Sequence, residues 1–205
     1  KKNILVINIG GISNFTFLNG KKTFFASDIG PGNTLIDEFC YKNFNKIYDF
    51  NGNLAKKGKI KFELIDLWLK NKIFFRKFPT SFDIQDFNFI NSRHYKTYST
   101  YDILRTLTFF SAKLISMIKM SINFKIDSWV FSGGGVNNSL LMSDIKKLLI
   151  NDKISISNSL GYDSSFVESA AFAYISIRTL KKLPSAFPKT TGCIKENICG
   201  NIYIP

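Results

Sequence analysis

The sequence predicts an α/β fold with a mixed central sheet and flanking helices, and three observations carry that expectation. The chain opens as strand, turn, strand; it then alternates helices with short apolar strands; and glycine-rich turns stand at the ends of three of those strands. The apolar run Ile4–Ile7 reads as a buried strand, followed by the turn Asn8-Ile9-Gly10-Gly11-Ile12-Ser13-Asn14. Phe15–Leu18 and Thr23–Ala26 pair across Asn19-Gly20 as the next two strands. The segment Ser27-Asp28-Ile29-Gly30-Pro31-Gly32-Asn33 then reads as a loop opening into a helix over Thr34–Phe44, with Asn33 as its N-cap.

Asp49 to Asn53 is a turn, and helical spacing runs from Leu54 through Leu69. Phe74–Phe87 contains Pro79 and reads as a loop that includes the polar run Thr80-Ser81-Phe82-Asp83. A long helix follows, capped by Thr100 or Asp102. Its stripe of Ile103, Leu107, Phe110, Leu114, Ile115, Ile118 and Ile122 covers enough of the circumference to bury it between layers. Asp127–Phe131 is the next strand. It ends in Ser132-Gly133-Gly134-Gly135-Val136-Asn137-Asn138 and leads into a helix over Ser139–Ile150. Strand, glycine turn and helix in that order place backbone N–H groups at a strand's carboxyl end, where α/β folds bind nucleotides. Ile154–Ser157 makes a last strand. Phe166–Leu180 is a helix whose Ser169, Ala170, Ala171 and Ala173 suit close packing, ended by Pro184 and Pro188 before an irregular tail.

Composition narrows the function. A chain of 205 residues with 45% hydrophobic content can bury one core. Lys1-Lys2 leads straight into a strand without a signal pattern, and the apolar run from Ile103 to Phe124 is broken by Arg105, Lys113 and Lys119, so no membrane span is expected. Cys40, Cys193 and Cys199, without CxxC spacing and with His94 as the one histidine, argue against a metal site or disulfide framework and for a cytoplasmic location. His94 itself reads as an incidental loop residue. The net charge of +13 raises nucleic-acid binding, but pairs such as Lys56-Lys57, Lys146-Lys147 and Lys181-Lys182 lie scattered on helical segments, so no nucleic-acid partner is expected.

None of the glycine turns is a Walker A loop or a GxGxxG fingerprint. Taken alone, each could be a hairpin turn using glycine for positive φ. Separate glycine turns on strand ends, contributed by distant segments, point to one lobe of the actin/hexokinase-type ATPase (ASKHA) fold. Asp28, the carboxylate of the first two loops, stands beside them as a phosphoryl-transfer site would require.

Several stretches together resemble the bacterial anhydro-N-acetylmuramic acid kinases. They are Asn8–Asn14; Asp28–Asn33 with Leu35, Ile36 and Asp37; Asp49–Gly52 with Ala55 and Gly58; Asp102 with Thr106-Leu107-Thr108; Gly133–Asn138 with Leu141-Met142; Glu168 with Ala171-Phe172-Ala173; and Pro188 with Thr190-Thr191-Gly192. The resemblance spans residues 1–205 as a single C-terminal lobe. It implies phosphorylation of the anhydro-sugar by ATP, with Mg²⁺, while water opens the anhydro bridge, giving N-acetylmuramic acid 6-phosphate for peptidoglycan recycling. By resemblance Asp28 is the general base toward that water. Glu168, Gly30 and Asn33 lie on the sugar side, and Gly10, Gly11, Asn14, Gly133, Gly134, Gly135 and Asn137 on the nucleotide side. The family's N-terminal half, with its own phosphate loop, has no counterpart here. A separate N-terminal lobe, or a second copy of the chain, is therefore the expected protein partner. The alternatives are a non-catalytic binding module of the same fold and a kinase for another sugar. Thr80 stands where many members carry lysine, Ser164-Ser165 where Gly-Asp is frequent, Leu104 where Gln is common, and Asn51 replaces a frequent aspartate.

Overall fold

A computed structural model describes residues 2–20, 22–90, 95–164 and 166–203. His94 and Ser165 lie outside the described residues. Five strands form one mixed sheet in the order β3-β2-β1-β4-β5, with β1 Asn3–Ile9, β2 Ile12–Asn19, β3 Lys22–Pro31, β4 Ser128–Ser132 and β5 Ile154–Ile156. β1 pairs antiparallel with β2 and parallel with β4, β2 pairs antiparallel with β3, and β4 pairs parallel with β5. The helices are α1 Thr34–Phe44, α2 Phe62–Leu69, α3 Thr100–Ser121, α4 Ser139–Leu148, α5 Val167–Leu180 and the single turn α6 Pro188–Thr191. The α/β class, the mixed sheet and the five strand positions are those expected, and a three-strand meander continued by parallel strands suits one lobe of an actin/hexokinase-type fold.

The core forms where β1 and β2 alternate. Leu5, Ile7 and Ile9 of β1 and Phe15 and Phe17 of β2 are fully buried, while Ile4, Val6 and Asn8 between them are half-buried. β4 has both faces covered, with Trp129 and Phe131 stacked at 6.3 Å between ring centroids. The predicted stripe of α3 packs into the same cluster from Ile103 to Ile118. Burying these side chains stabilises by about 1.5–3 kcal/mol each, before conformational entropy is set against it.

Several local expectations change. β3 runs on to Pro31, so Asp28 lies within a strand rather than after one. Ser27 to Pro31 reads as a turn by composition, but pairing with β2 holds it extended. Pro31 is tolerated because it stands at the end of an edge strand, where its missing N–H costs no ladder bond. Asn33 occupies the N-cap position of α1 in a helical conformation, and its side chain makes no cap. Its amide donates instead to the Ile9 carbonyl, at 3.4 Å. α3 is capped by Ser99, whose hydroxyl accepts from the Asp102 N–H at 3.1 Å, rather than by Thr100 or Asp102. The helical spacing from Leu54 is broken into a 3₁₀ turn over Ala55–Lys57 and α2. Gly58 lies against the Tyr101 carbonyl between them. Pro188 begins a helical turn rather than simply ending one. The largest departure is α5: among the described residues none of its side chains is buried, and Phe172, Tyr174, Ile177 and Leu180 are exposed.

Candidate active site

The sheet's topology brings the glycine turns together. β1 and β4 run parallel, and β3, two antiparallel steps from β1, runs the same way, so all three end at one edge. Gly10 and Gly11 follow β1, Gly32 follows β3, and Gly133 follows β4. The first two turns are laced by backbone bonds: Gly32 N–H donates to Gly11 O at 2.8 Å, Asn33 N–H to Gly10 O at 2.9 Å, and Thr34 N–H to Gly11 O at 3.1 Å. Those donors at the start of α1 are spent on protein, so a ligand there meets the Gly10-Gly11 loop itself, where Gly11 is exposed. Glycine is required at two positions. A Cβ on Gly32 would fall against Gly10 O and within 2.6 Å of Ser13 Oγ. Gly133 has φ +84°, and a Cβ there would meet Asn8 Oδ1 and stand 2.7 Å from Ile9 O.

Two cavities flank this edge. One, of about 620 Å³, is lined by Asn33 just before α1 and Asp37 within it, by the segment from Tyr48 to Asn51, and by Gly134, Asn137 and Asn138. Gly134 has nothing within 4 Å of where a Cβ would stand, so its backbone is open. Asn138 caps α4 by accepting from Leu141 N–H at 3.1 Å. Asn51, with φ +55°, accepts from Ser139 N–H at 3.2 Å, so it ties the 48–51 segment to the start of α4. Asp49 is buried and accepts from Leu54 N–H at 2.8 Å and Ala55 N–H at 2.9 Å. Burial, and then the charge of Asp49, raise the Asp37 carboxyl from 3.8 to about 6.

The second cavity, about 390 Å³, holds Asp28, with Asn14 beside it and Thr80, Thr190 and Thr191 among its walls. Asp28 sits opposite Asn14 in the ladder, next to a bulge where β3 gains a residue over β2, a device that re-aims side chains. The polar run after Pro79, without evident purpose in the sequence, is what positions this carboxylate. Phe82 N–H donates to Asp28 Oδ2 at 2.9 Å, and Asp28 N–H donates to Thr80 O at 3.0 Å. Thr80 N–H donates to Ser27 Oγ at 2.9 Å, which fixes the segment to the strand edge.

The expected residues are thus partly assembled. Asn14, expected on the nucleotide side, shares one cavity with Asp28, because the ladder sets the two opposite each other. Asn33, expected on the sugar side, shares the other with Gly134 and Asn137, because it stands at the start of α1 toward the turn after β4. Gly10, Gly11 and Gly133 stand on the edge between them. Gly135 is buried against Ile9, and Gly30 is buried beside Leu114, so neither lines a cavity. Glu168 is exposed in the first turn of α5 and lines neither cavity. Asp37, Asp49 and the hydroxyls of Thr190 and Thr191 were not foreseen as cavity residues. The Thr-Thr-Gly signal was present in the sequence, but only chain folding shows that α6 lies on β3.

A family model for anhydro-N-acetylmuramic acid kinase matches residues 1–205. The chain belongs to the anhydro-N-acetylmuramic acid kinase family. Curated members bear the same name. One from Rhodopseudomonas palustris (strain ATCC BAA-98 / CGA009) is 35% identical over 187 residues, covering 91% of this chain and 50% of the relative. One from Clostridioides difficile (strain 630) is 34% identical, covering 98% of this chain and 55% of the relative. One from Bacillus cereus (strain Q1) is 34% identical, covering 100% and 56%. The chain therefore spans about half the length of the family members it matches. Among solved structures, the activator of 2-hydroxyisocaproyl-CoA dehydratase from Clostridium difficile with bound ADPNP aligns at 14% identity and TM-score 0.45, over 76% of this chain and 53% of that one. Component A of (R)-2-hydroxyglutaryl-CoA dehydratase from Acidaminococcus fermentans aligns at 14% identity and TM-score 0.47, over 74% and 54%. Among the described residues no helix is long and apolar enough to cross a membrane, and no three His, Cys, Asp or Glu side chains cluster as metal ligands.

Proposed function

We propose that this chain is the C-terminal, nucleotide- and sugar-binding lobe of a cytoplasmic kinase that phosphorylates 1,6-anhydro-N-acetylmuramic acid with ATP while water opens the anhydro ring, yielding N-acetylmuramic acid 6-phosphate for peptidoglycan recycling. The observation that carries the reading is the placement of Asp28: a carboxylate oriented by the Phe82 amide, at the wall of a cavity beside the glycine loop. In this reading the sugar occupies the Asp28 cavity. Asp28 takes a proton from the water attacking the anomeric carbon, Asn14 offers its amide to sugar hydroxyls, and Thr190 and Thr191, whose hydroxyls donate to Phe187 O, accept from them. ATP lies in the larger cavity with its phosphates toward Gly10 and Gly11. Mg²⁺ would arrive on the ATP phosphates and neutralise their charge.

In this reading an N-terminal lobe, or a second copy of the chain, supplies the second half of the cleft. The uncovered α5, with Glu168 in its first turn, supports it. The test combines this chain with the N-terminal half of the Bacillus cereus relative and assays sugar phosphorylation. Asp28→Asn keeps the shape and removes the base, so turnover should fall by roughly 10²–10⁴-fold while ATP affinity is unchanged. Near-normal turnover would show that Asp28 is not the base.

A further inference from the structure

The larger cavity has a chemistry of its own. Its titratable lining residues are Asp37, Asp49 and Tyr48, and no basic side chain is among them. Such a wall repels phosphate and suits a neutral group rich in hydrogen-bond donors. Asp49 is committed, because its two oxygens accept from the Leu54 and Ala55 amides. Among the described residues no hydrogen bond or ion pair reaches the Asp37 carboxyl, although it is only partly exposed. The exposed rings of Tyr48 and Phe50 stand beside it, flat surfaces of the kind on which a base stacks.

Position along α1 gives the scale. Asn33 is bonded to Gly10 O through its N–H, and Asp37 N–H donates to Asn33 O at 2.8 Å, one turn further from the glycine loop. Four residues of helix separate the two by about 6 Å. A nucleotide with its phosphates at Gly10 and Gly11 therefore runs past Asn33, brings its sugar to Asp37, and carries its base toward Tyr48 and Phe50.

We propose that Asp37 is the ribose-binding residue of this lobe, its carboxylate accepting from the 2′- and 3′-hydroxyls of the nucleotide. The assignment rests on the reading that this cavity holds ATP, and it adds what selects the sugar of that ATP. A carboxylate presents two acceptors side by side, which matches a vicinal diol. Diol binding favours the ionised form, so a carboxyl that titrates near 6 in the free protein releases a proton when the nucleotide binds at about that pH. The other titratable groups facing Asp37 are Asp49, which keeps its amide partners, Tyr48, and Cys40, whose thiol burial and the charges of Asp49 and Asp37 push up to about 12, so it stays protonated at pH 6; the turn from Gly134 to Asn138 contributes none.

Calorimetric titration of the full chain with ATP, 2′-deoxy-ATP and 3′-deoxy-ATP tests this, repeated at pH 6 in buffers of different ionisation enthalpy. The wild-type chain should bind each deoxy analogue roughly 10–100-fold more weakly than ATP, the span expected for losing a hydrogen bond to a charged group. Asp37→Asn should bring the three nucleotides within about 3-fold of one another and abolish the proton release. Equal discrimination in wild type and variant, or none in wild type, overturns the ribose assignment and leaves nucleotide binding standing. Absence of ATP binding by the wild-type chain overturns both. Because the analogues perturb the ligand rather than the protein, the wild-type arm decides even if the variant misfolds.

Discussion

Replacing Asp144 by alanine should destabilise this lobe more than any surface change. Asp144 of α4 receives both terminal nitrogens of Arg105 from α3, at 2.6 and 2.8 Å, in a bidentate pair. The side chains are 3% and 11% exposed, so water screens the pair little. Removing the carboxylate strands a guanidinium between two helices, a change that costs about 3–5 kcal/mol. For a chain of this size each kcal/mol lowers Tm by about 2–4 °C, so the midpoint should fall by roughly 6–20 °C. Urea unfolding and scanning calorimetry measure it directly. The double variant Arg105→Met, Asp144→Leu removes both charges and should regain most of the loss, because the penalty belongs to the unpaired charge rather than to a missing attraction. A single-variant loss below about 1 kcal/mol, the level of an exposed ion pair, would refute this reasoning. Since α4 begins directly after the Gly133 turn, the same variant should also loosen the larger cavity.

Gly133→Ala should cost about 1–3 kcal/mol from positive φ alone, with added collision against Ile9 O, whereas Gly134→Ala meets open space and should change stability by less than about 0.5 kcal/mol; thermal melts of the two variants check the contrast. Asp37 binds its proton more tightly folded, near 6, than unfolded, near 3.8. Stability is therefore lost as pH rises through that window, and Asp37→Asn should flatten the profile and gain at most about 3 kcal/mol at pH 7, read from urea midpoints at a series of pH values. Ser99→Ala removes the hydroxyl that accepts from Asp102 N–H and should lower stability by about 1 kcal/mol in the same assay.

What the sequence shows and what it hides divide by range. α1 was legible to the residue, because Thr34–Phe44 carries both its period and its flanking turns locally. The glycine turns were legible for the same reason: strand, glycine and helix are neighbours in the chain. β3 was read short because the extended state of Ser27 to Pro31 comes from pairing with β2, and composition does not report pairing. The cap of α3 falls before both candidates, one residue from Thr100 and three from Asp102, since Ser99, Thr100 and Asp102 are all capable and only backbone geometry chooses. Of the candidate site, Asp28 and Asn14 were visible beside their glycines. Asp37 was not, because a carboxylate inside an amphipathic helix reads as a solvated face until the 48–51 segment folds across it. The grip of Phe82 on Asp28 spans 54 positions, and no local pattern encodes it.

A helix of fourteen residues with no buried side chain draws almost nothing from tertiary packing, and helices of that length are marginal in water by themselves. α5 is tied down toward its C-terminal end, where Arg178 donates to Pro184 O and Thr179 bonds Cys199 O. Its opposite end carries Glu168. Amide exchange should therefore run fastest in the turn that holds this acid and slow progressively toward Leu180. In the proposed assembly, the surface that covers Phe172 and Ile177 would also set the geometry of Glu168, so docking and the placing of a charge would be one event.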